Sequence, residues 1–290
     1  MFTGSIVALV TPFKNGEVDL ERLGELVEFH VSEGTNAISP CGTTGESPTL
    51  SHEEQEKVIS EVVQKVQGRI PVIAGTGSNN TREALRLTKY AQKAGADGAL
   101  VITPYYNKPT QEGLYRHFKV LAEEADLPIV LYNVPSRTGV SISPETVARL
   151  AELKNIVAIK EASGSLDQIT AILGMCDITV LSGEDSLILP ILSIGGKGVI
   201  SVVANIVPGE TSTMINKFLK GGLETEEARK IHQRLYPLTK AMFIETNPIP
   251  VKTAMRLLGR LNGEVRLPLC EMSEAHEQQL ARALKDYGLL

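Results

Sequence analysis

The chain has 290 residues, 42% of them hydrophobic and 22% charged, with a formal net charge of -5 and a pI near 5.7. That length suits one large α/β domain, and the composition is ordinary for a globular protein. The acidic balance gives no basis for a nucleic-acid partner or for binding to an anionic membrane.

Cys41, Cys176 and Cys270 are far apart, odd in number and without metal-ligand spacing, which suits a reducing compartment. Residues 1–10 lack a basic n-region, and Thr11-Pro12 arrives too soon for a signal h-region. No apolar run approaches the roughly 20 residues that span a bilayer. A cytoplasmic location follows as the expectation.

Short apolar runs alternate with amphipathic stretches through most of the chain. Ser5 to Val10 reads as a strand, and a helix follows from Asp19, a natural N-cap, to Glu33, with Gly34 as its stop. Ala37-Ile38-Ser39 is a second strand, and its loop, Pro40-Cys41-Gly42-Thr43-Thr44-Gly45-Glu46-Ser47, is rich in Gly and Thr. Ser51-His52-Glu53-Glu54 is a capping-box pattern that opens a helix to Val66. Pro71 to Ala74 is the third strand, before the loop Gly75-Thr76-Gly77-Ser78-Asn79-Asn80 and a helix from Thr81 to Ala94.

The fourth strand, Gly98 to Thr103, ends in Pro104-Tyr105-Tyr106-Asn107. Leu114, Phe118 and Leu121 share one face of the helix predicted from Gln111 to Ala125. Pro128 to Tyr132 is the fifth strand, leading into Asn133-Val134-Pro135-Ser136-Arg137-Thr138-Gly139; Ser143-Pro144-Glu145 starts the next helix. The sixth strand is the run Ile156 to Lys160, the seventh is Ile178 to Leu181 with Ser182-Gly183-Glu184-Asp185 behind it, and the eighth is Val199 to Val203. A helix from Pro208 to Leu219 completes the series.

Eight strands alternating with helices predict a (β/α)₈ TIM barrel over residues 1–222. An open doubly wound sheet is disfavoured because no G-x-G-x-x-G follows the first strand. Residues 223–290 carry three further helical patterns, Glu226 to Phe243, Pro250 to Leu258 and Ser273 to Tyr287. They are expected to form a C-terminal helical extension.

Chemistry in such a barrel sits at the C-terminal ends of the strands. Thr43, Thr44, Tyr105, Tyr106, Tyr132, Arg137 and Lys160 all fall there. Lys160 ends a run of apolar, mostly β-branched residues that reads as buried on both faces. A lysine there either snorkels to solvent or stays desolvated as a neutral amine able to attack a carbonyl. Tyrosines cap barrel mouths for packing reasons alone, but a shared rim with a strand-end lysine favours chemistry. A neutral lysine converts a ketone into a carbinolamine and then an imine, and Tyr132 is a hydroxyl acid/base one strand away. The backbone and hydroxyls of Gly42-Thr43-Thr44-Gly45 suit a carboxylate beside that ketone, and Arg137 suits a second one. The reading is an imine-forming enzyme acting on a 2-oxo acid, with no metal and no cofactor.

Gly42-Thr43-Thr44-Gly45-Glu46, Pro104-Tyr105-Tyr106-Asn107, Tyr132 through Gly139, Ile159-Lys160-Glu161 and Asn247-Pro248-Ile249-Pro250-Val251-Lys252 occur in the order and spacing of a known family. Across nearly its whole length the chain resembles the dihydrodipicolinate synthase (4-hydroxy-tetrahydrodipicolinate synthase) family, within the N-acetylneuraminate lyase superfamily. The resemblance implies a lyase in which Lys160 forms a Schiff base with pyruvate and Tyr132 is the general acid/base. Thr43 and Tyr106 would complete a proton relay, Tyr106 serving the neighbouring subunit's site. Thr44 and the backbone at Ile200 would hold the pyruvate carboxylate, Gly183 would line the pocket, and Arg137 would bind L-aspartate 4-semialdehyde. Condensation of these substrates toward diaminopimelate and lysine, by a homotetramer built as a dimer of dimers, is the implied activity. Sister aldolases acting on N-acetylneuraminate or 2-keto-3-deoxygluconate are the alternative, disfavoured by Arg137 and by the Thr43-Thr44 pair. Ser47, Pro48, His52, Asn79, Glu83 and Tyr105 match the family's lysine feedback site, where Gln55 replaces a histidine of some lysine-sensitive members.

Overall fold

The computed structural model describes residues 2–290. Eight strands are arranged in parallel: β1 (Gly4–Ala8), β2 (Ala37–Ser39), β3 (Ile73–Gly75), β4 (Gly98–Ile102), β5 (Ile129–Asn133), β6 (Ile156–Glu161), β7 (Thr179–Ser182) and β8 (Gly198–Ser201). β1 pairs with both β2 and β8, and pairing continues from β8 in descending order to β3. The ring is completed by a parallel bridge between Ile38 and Val72 and by the Gly75 amide donating to the Pro40 carbonyl at 2.8 Å. This is a (β/α)₈ TIM barrel. Closure explains Gly75: a Cβ there would lie 2.1 Å from the Cys41 carbonyl oxygen, so only glycine lets β3 approach the loop carrying Thr43 and Thr44.

Side-chain alternation along the strands separates two apolar layers. Ile6, Ala37, Ile73, Leu100, Val130, Ala158, Leu181 and Ile200 point into the barrel and pack on one another. The opposite parity faces the helices: α1 (Leu20–Ser32), α2 (His52–Val66), α3 (Thr81–Ala94), α4 (Gln111–Glu124), α5 (Pro144–Ala151), α6 (Leu166–Met175), α7 (Ile188–Ser193) and α8 (Pro208–Lys220). Helix starts follow the local chemistry. Asp19 accepts from the Arg22 amide at 3.0 Å, and Ser51 with Glu54 forms the capping box before α2. Leu114, Phe118 and Leu121 of α4 are buried together.

After the barrel come α9 (Glu224–Ala241), α10 (Ile249–Leu257) and α11 (Glu274–Tyr287). α9 packs on α8 and α11, and α10 on α11. No helix of the described residues is long and apolar enough to cross a membrane.

One element lies outside the alternation. Phe13–Lys14 and Glu17–Val18 form a two-stranded antiparallel hairpin turned by Asn15 and Gly16, at φ of +55° and +81°. Asn-Gly with both residues left-handed is the signature of a tight type I′ turn, and it was readable in the sequence. The hairpin buries Phe13, and its turn amides bind the Glu264 carboxylate beyond α10.

Candidate active site

Lys160 lies two residues beyond Ala158 on β6 and so faces the barrel interior. β5 and β6 pair with Tyr132 directly beside Lys160, and Nζ rests 4.4 Å from the centre of the tyrosine ring. Lys160 is 6% exposed, and its Nζ has no carboxylate oxygen within ion-pair distance among the described residues. Glu161, next in sequence, has the opposite parity. Its buried carboxylate accepts from Asn133 Nδ2 at 3.0 and 3.1 Å, Gln168 Nε2 at 3.0 Å and the Ser163 amide at 2.8 Å. It is fully engaged on the helix side, away from the lysine.

Lys160 opens into a cavity of about 160 Å³ at the mouth of the barrel. Strand-end loops bring Thr43 and Thr44 to its wall from β2, Tyr132 from β5 and Gly183 from β7. Arg137 enters from a single helical turn, Pro135–Thr138, which starts on a proline and ends on Gly139 at φ +70°. The guanidinium donates to the Asn247 carbonyl at 3.2 Å and has no carboxylate partner, leaving donors for an anion. Thr44, 3% exposed, accepts a hydrogen bond from Asn247 Nδ2 at 3.0 Å. Asn247 Oδ1 is buried without a partner.

Glu184 and Asp185 follow Gly183. Glu184 is on the cavity wall; burial and then the neighbouring charge of Asp185 push its pKa up, while Lys160, Lys240 and Arg137 oppose the shift. Asp185 is buried and its pKa is also raised by desolvation, although the Val202 and Val203 amides donate to it at 3.0 and 2.9 Å. It ties the β7 loop to the end of β8.

Not every residue assigned from the sequence reaches this cavity. Ile200 packs in the barrel interior and is absent from the cavity wall. Tyr106 is 90% exposed, at φ +71°, on the loop after β4, and does not meet Lys160 of its own chain. A second cavity of about 450 Å³ adjoins the first, with Thr43 and Arg137 shared between their walls. Ser47, Pro48, His52, Glu83 and Tyr105 line it, and so does Gln55, whose amide donates to the Ser47 carbonyl at 3.0 Å. Asn79 is not on its wall; its carbonyl accepts from Asn107 Nδ2 at 2.9 Å.

Sequence reasoning passed over Asn247, Glu184 and Asp185. The adjacent acids directly after a strand were the available signal for the last two. Asn247 stood inside a quoted motif, but nothing local to it announces a partner at Thr44.

Known proteins resemble this chain over its whole length. The 4-hydroxy-tetrahydrodipicolinate synthase of Geotalea uraniireducens is 58% identical over 292 aligned residues, covering 100% of both chains. The crystal structure of dihydrodipicolinate synthase from Aquifex aeolicus matches with a TM-score of 0.97 and 57% identity, over 99% of each chain. A monomeric dihydrodipicolinate synthase variant matches with a TM-score of 0.97 and 49% identity, covering 100% of this chain and 98% of its own. The sequence profile of one family spans residues 1–287, and by that match and these relatives the chain belongs to the dihydrodipicolinate synthetase family.

Proposed function

We propose that this chain condenses pyruvate with L-aspartate 4-semialdehyde, as a 4-hydroxy-tetrahydrodipicolinate synthase. The observation that carries the reading is an unpaired buried lysine, in register with a tyrosine, in a cavity whose size suits a small 2-oxo acid. The Lys160 amine adds to the ketone carbon of pyruvate; the carbinolamine loses water to give the imine. Loss of a methyl proton then gives an enamine whose terminal carbon attacks the aldehyde of the second substrate. Tyr132 carries protons in these steps, because its hydroxyl is the acid/base group on the neighbouring strand. Thr44 hydrogen-bonds the pyruvate carboxylate, and Gly183 leaves room beside it. Arg137, free of any acidic partner, binds the carboxylate of the semialdehyde.

Thr43 stands between the two cavities and relays protons from Tyr132 toward a Tyr106 supplied by a second copy of the chain. The exposed Tyr106 ring on a strained backbone supports that assignment, within a tetramer assembled from dimers. The larger cavity is the site for L-lysine, held by Ser47, His52, Glu83 and Tyr105, with Asn79 on the loop beside them. Three free cysteines fit a cytoplasmic setting.

Incubation with pyruvate and borohydride tests the reading. A reduced pyruvyl adduct on Lys160 is expected, together with turnover of aspartate semialdehyde. A clear preference for N-acetylneuraminate or 2-keto-3-deoxygluconate would overturn it.

A further inference from the structure

The segment entering α10 touches the Gly42–Glu46 loop twice. Asn247 Nδ2 reaches Thr44 Oγ1 at 3.0 Å, and Lys252 Nζ reaches Glu46 Oε1 at 2.5 Å with both side chains fully buried. The second oxygen of Glu46 accepts from the Arg266 amide at 3.1 Å. Glu46 is held at φ +54°, a left-handed conformation that a non-glycine residue keeps only when its surroundings enforce it. The loop is therefore pinned at Thr44 and at Glu46 by residues about 200 positions later in the chain.

The contact at Thr44 also sets a direction. A hydroxyl has one proton to donate, and Thr44 Oγ1 already accepts from Asn247. It makes no other hydrogen bond among the described residues, so its proton is available to the cavity that Thr44 and Asn247 both line. We propose that Asn247 is a positioning residue whose amide fixes Thr44 as a donor toward the carboxylate of the bound 2-oxo acid. Lys252 and Glu46 hold the loop at the spacing this contact needs. The inference rests on the pyruvate reading above.

Pyruvate-dependent borohydride trapping tests it without the second substrate. Wild type, Asn247→Ala, Thr44→Val, the double variant and Asn247→Asp are compared, with thermal unfolding followed for each. Asn247→Ala is expected to raise the half-saturating pyruvate about tenfold, the loss of one hydrogen bond to a charged group, while trapping at saturation persists. Thr44→Val should cost at least as much, and the double variant no more than Thr44→Val, because Asn247 acts through Thr44. Asn247→Asp should be worse than Asn247→Ala, since an ionised carboxylate takes the Thr44 proton for itself. Additive losses, or unchanged pyruvate dependence in Asn247→Ala or Asn247→Asp, would overturn the proposal. A wild-type protein that pyruvate does not label would overturn the parent reading, and this inference with it.

Discussion

Lys160 and Lys252 are both buried, and each Nζ lies over an aromatic ring, 4.4 Å from the centre of Tyr132 and 4.2 Å from that of Phe13. They differ in their partners. Lys252 has Glu46 at 2.5 Å, and burial that lowers its pKa is opposed by that carboxylate. Lys160 has no such partner and faces a cavity. The paired buried lysine does structural work; the unpaired one at a cavity wall is free to react. The two positions lie on either side of the Gly42–Glu46 loop, which carries Thr44 toward one and Glu46 toward the other.

Removing each amine should therefore break different properties. Lys160→Ala should abolish both borohydride trapping and turnover while its thermal unfolding stays close to wild type, because no ion pair is lost. A trapped adduct surviving in that variant would place the chemistry on another residue. Tyr132→Phe comes next. It should still bind pyruvate but lower kcat by ~10²-fold or more, as befits loss of an acid/base hydroxyl. Turnover near wild type would show that the tyrosine only supplies a ring beneath the amine.

The two lysines were unequally legible in the sequence. Lys160 could be read because everything that defines it is local: a buried apolar run, a strand end and alternation that turns Glu161 outward. Tyr132 could be read with it because parallel strands in consecutive order place their ends on one rim. The role of Lys252 depends on Glu46, 206 positions away, and no spacing rule links the two. The same distance hid Asn247 from Thr44. Strand limits shifted by no more than two residues, as at Ser5 to Val10 against β1 (Gly4–Ala8), since the end of a hydrogen-bonded ladder depends on the neighbouring strand. The hairpin at Asn15-Gly16 did carry a local signal, but it is only a few residues long and falls between a strand and a helix cap.

Lys252→Ala strands a carboxylate in a dry site and should lower stability by about 3–5 kcal/mol. For a chain of this size that lowers Tm by roughly 10 °C, measurable by calorimetry. Replacing both partners, Lys252→Met with Glu46→Gln, should recover much of the loss, because the penalty comes from the unpaired charge rather than the missing attraction. If Lys252→Ala melts like wild type, the pair is not what holds the loop. Arg137→Ala has a smaller effect. Its apparent KM for aspartate semialdehyde should rise about tenfold or more, the loss of a charge-assisted contact, with pyruvate trapping intact. An effect confined to pyruvate would move Arg137 to the other substrate.

The smallest effect on basal turnover is expected in the larger cavity, and it sharpens the contrast from outside the catalytic centre. That space of about 450 Å³ is nearly three times the volume of the one holding Lys160, yet neither buried lysine is on its wall. Its fixed charges are the Glu83 carboxylate, which accepts from Ser78 Oγ at 2.9 Å, and the Arg137 guanidinium it shares with the smaller cavity, with His52 and Tyr105 nearby. A carboxylate and hydroxyls suit the ammonium groups of L-lysine better than a 2-oxo acid. Glu83→Ala should therefore leave kcat without lysine unchanged and weaken inhibition by added lysine, read as a rightward shift of the inhibition curve. The cavities share Thr43 and Arg137, so lysine bound in the larger one can act on the smaller through those two side chains. A Glu83→Ala enzyme that loses turnover in the absence of lysine would show that the larger cavity takes part in catalysis itself, and the division between the two spaces would fall.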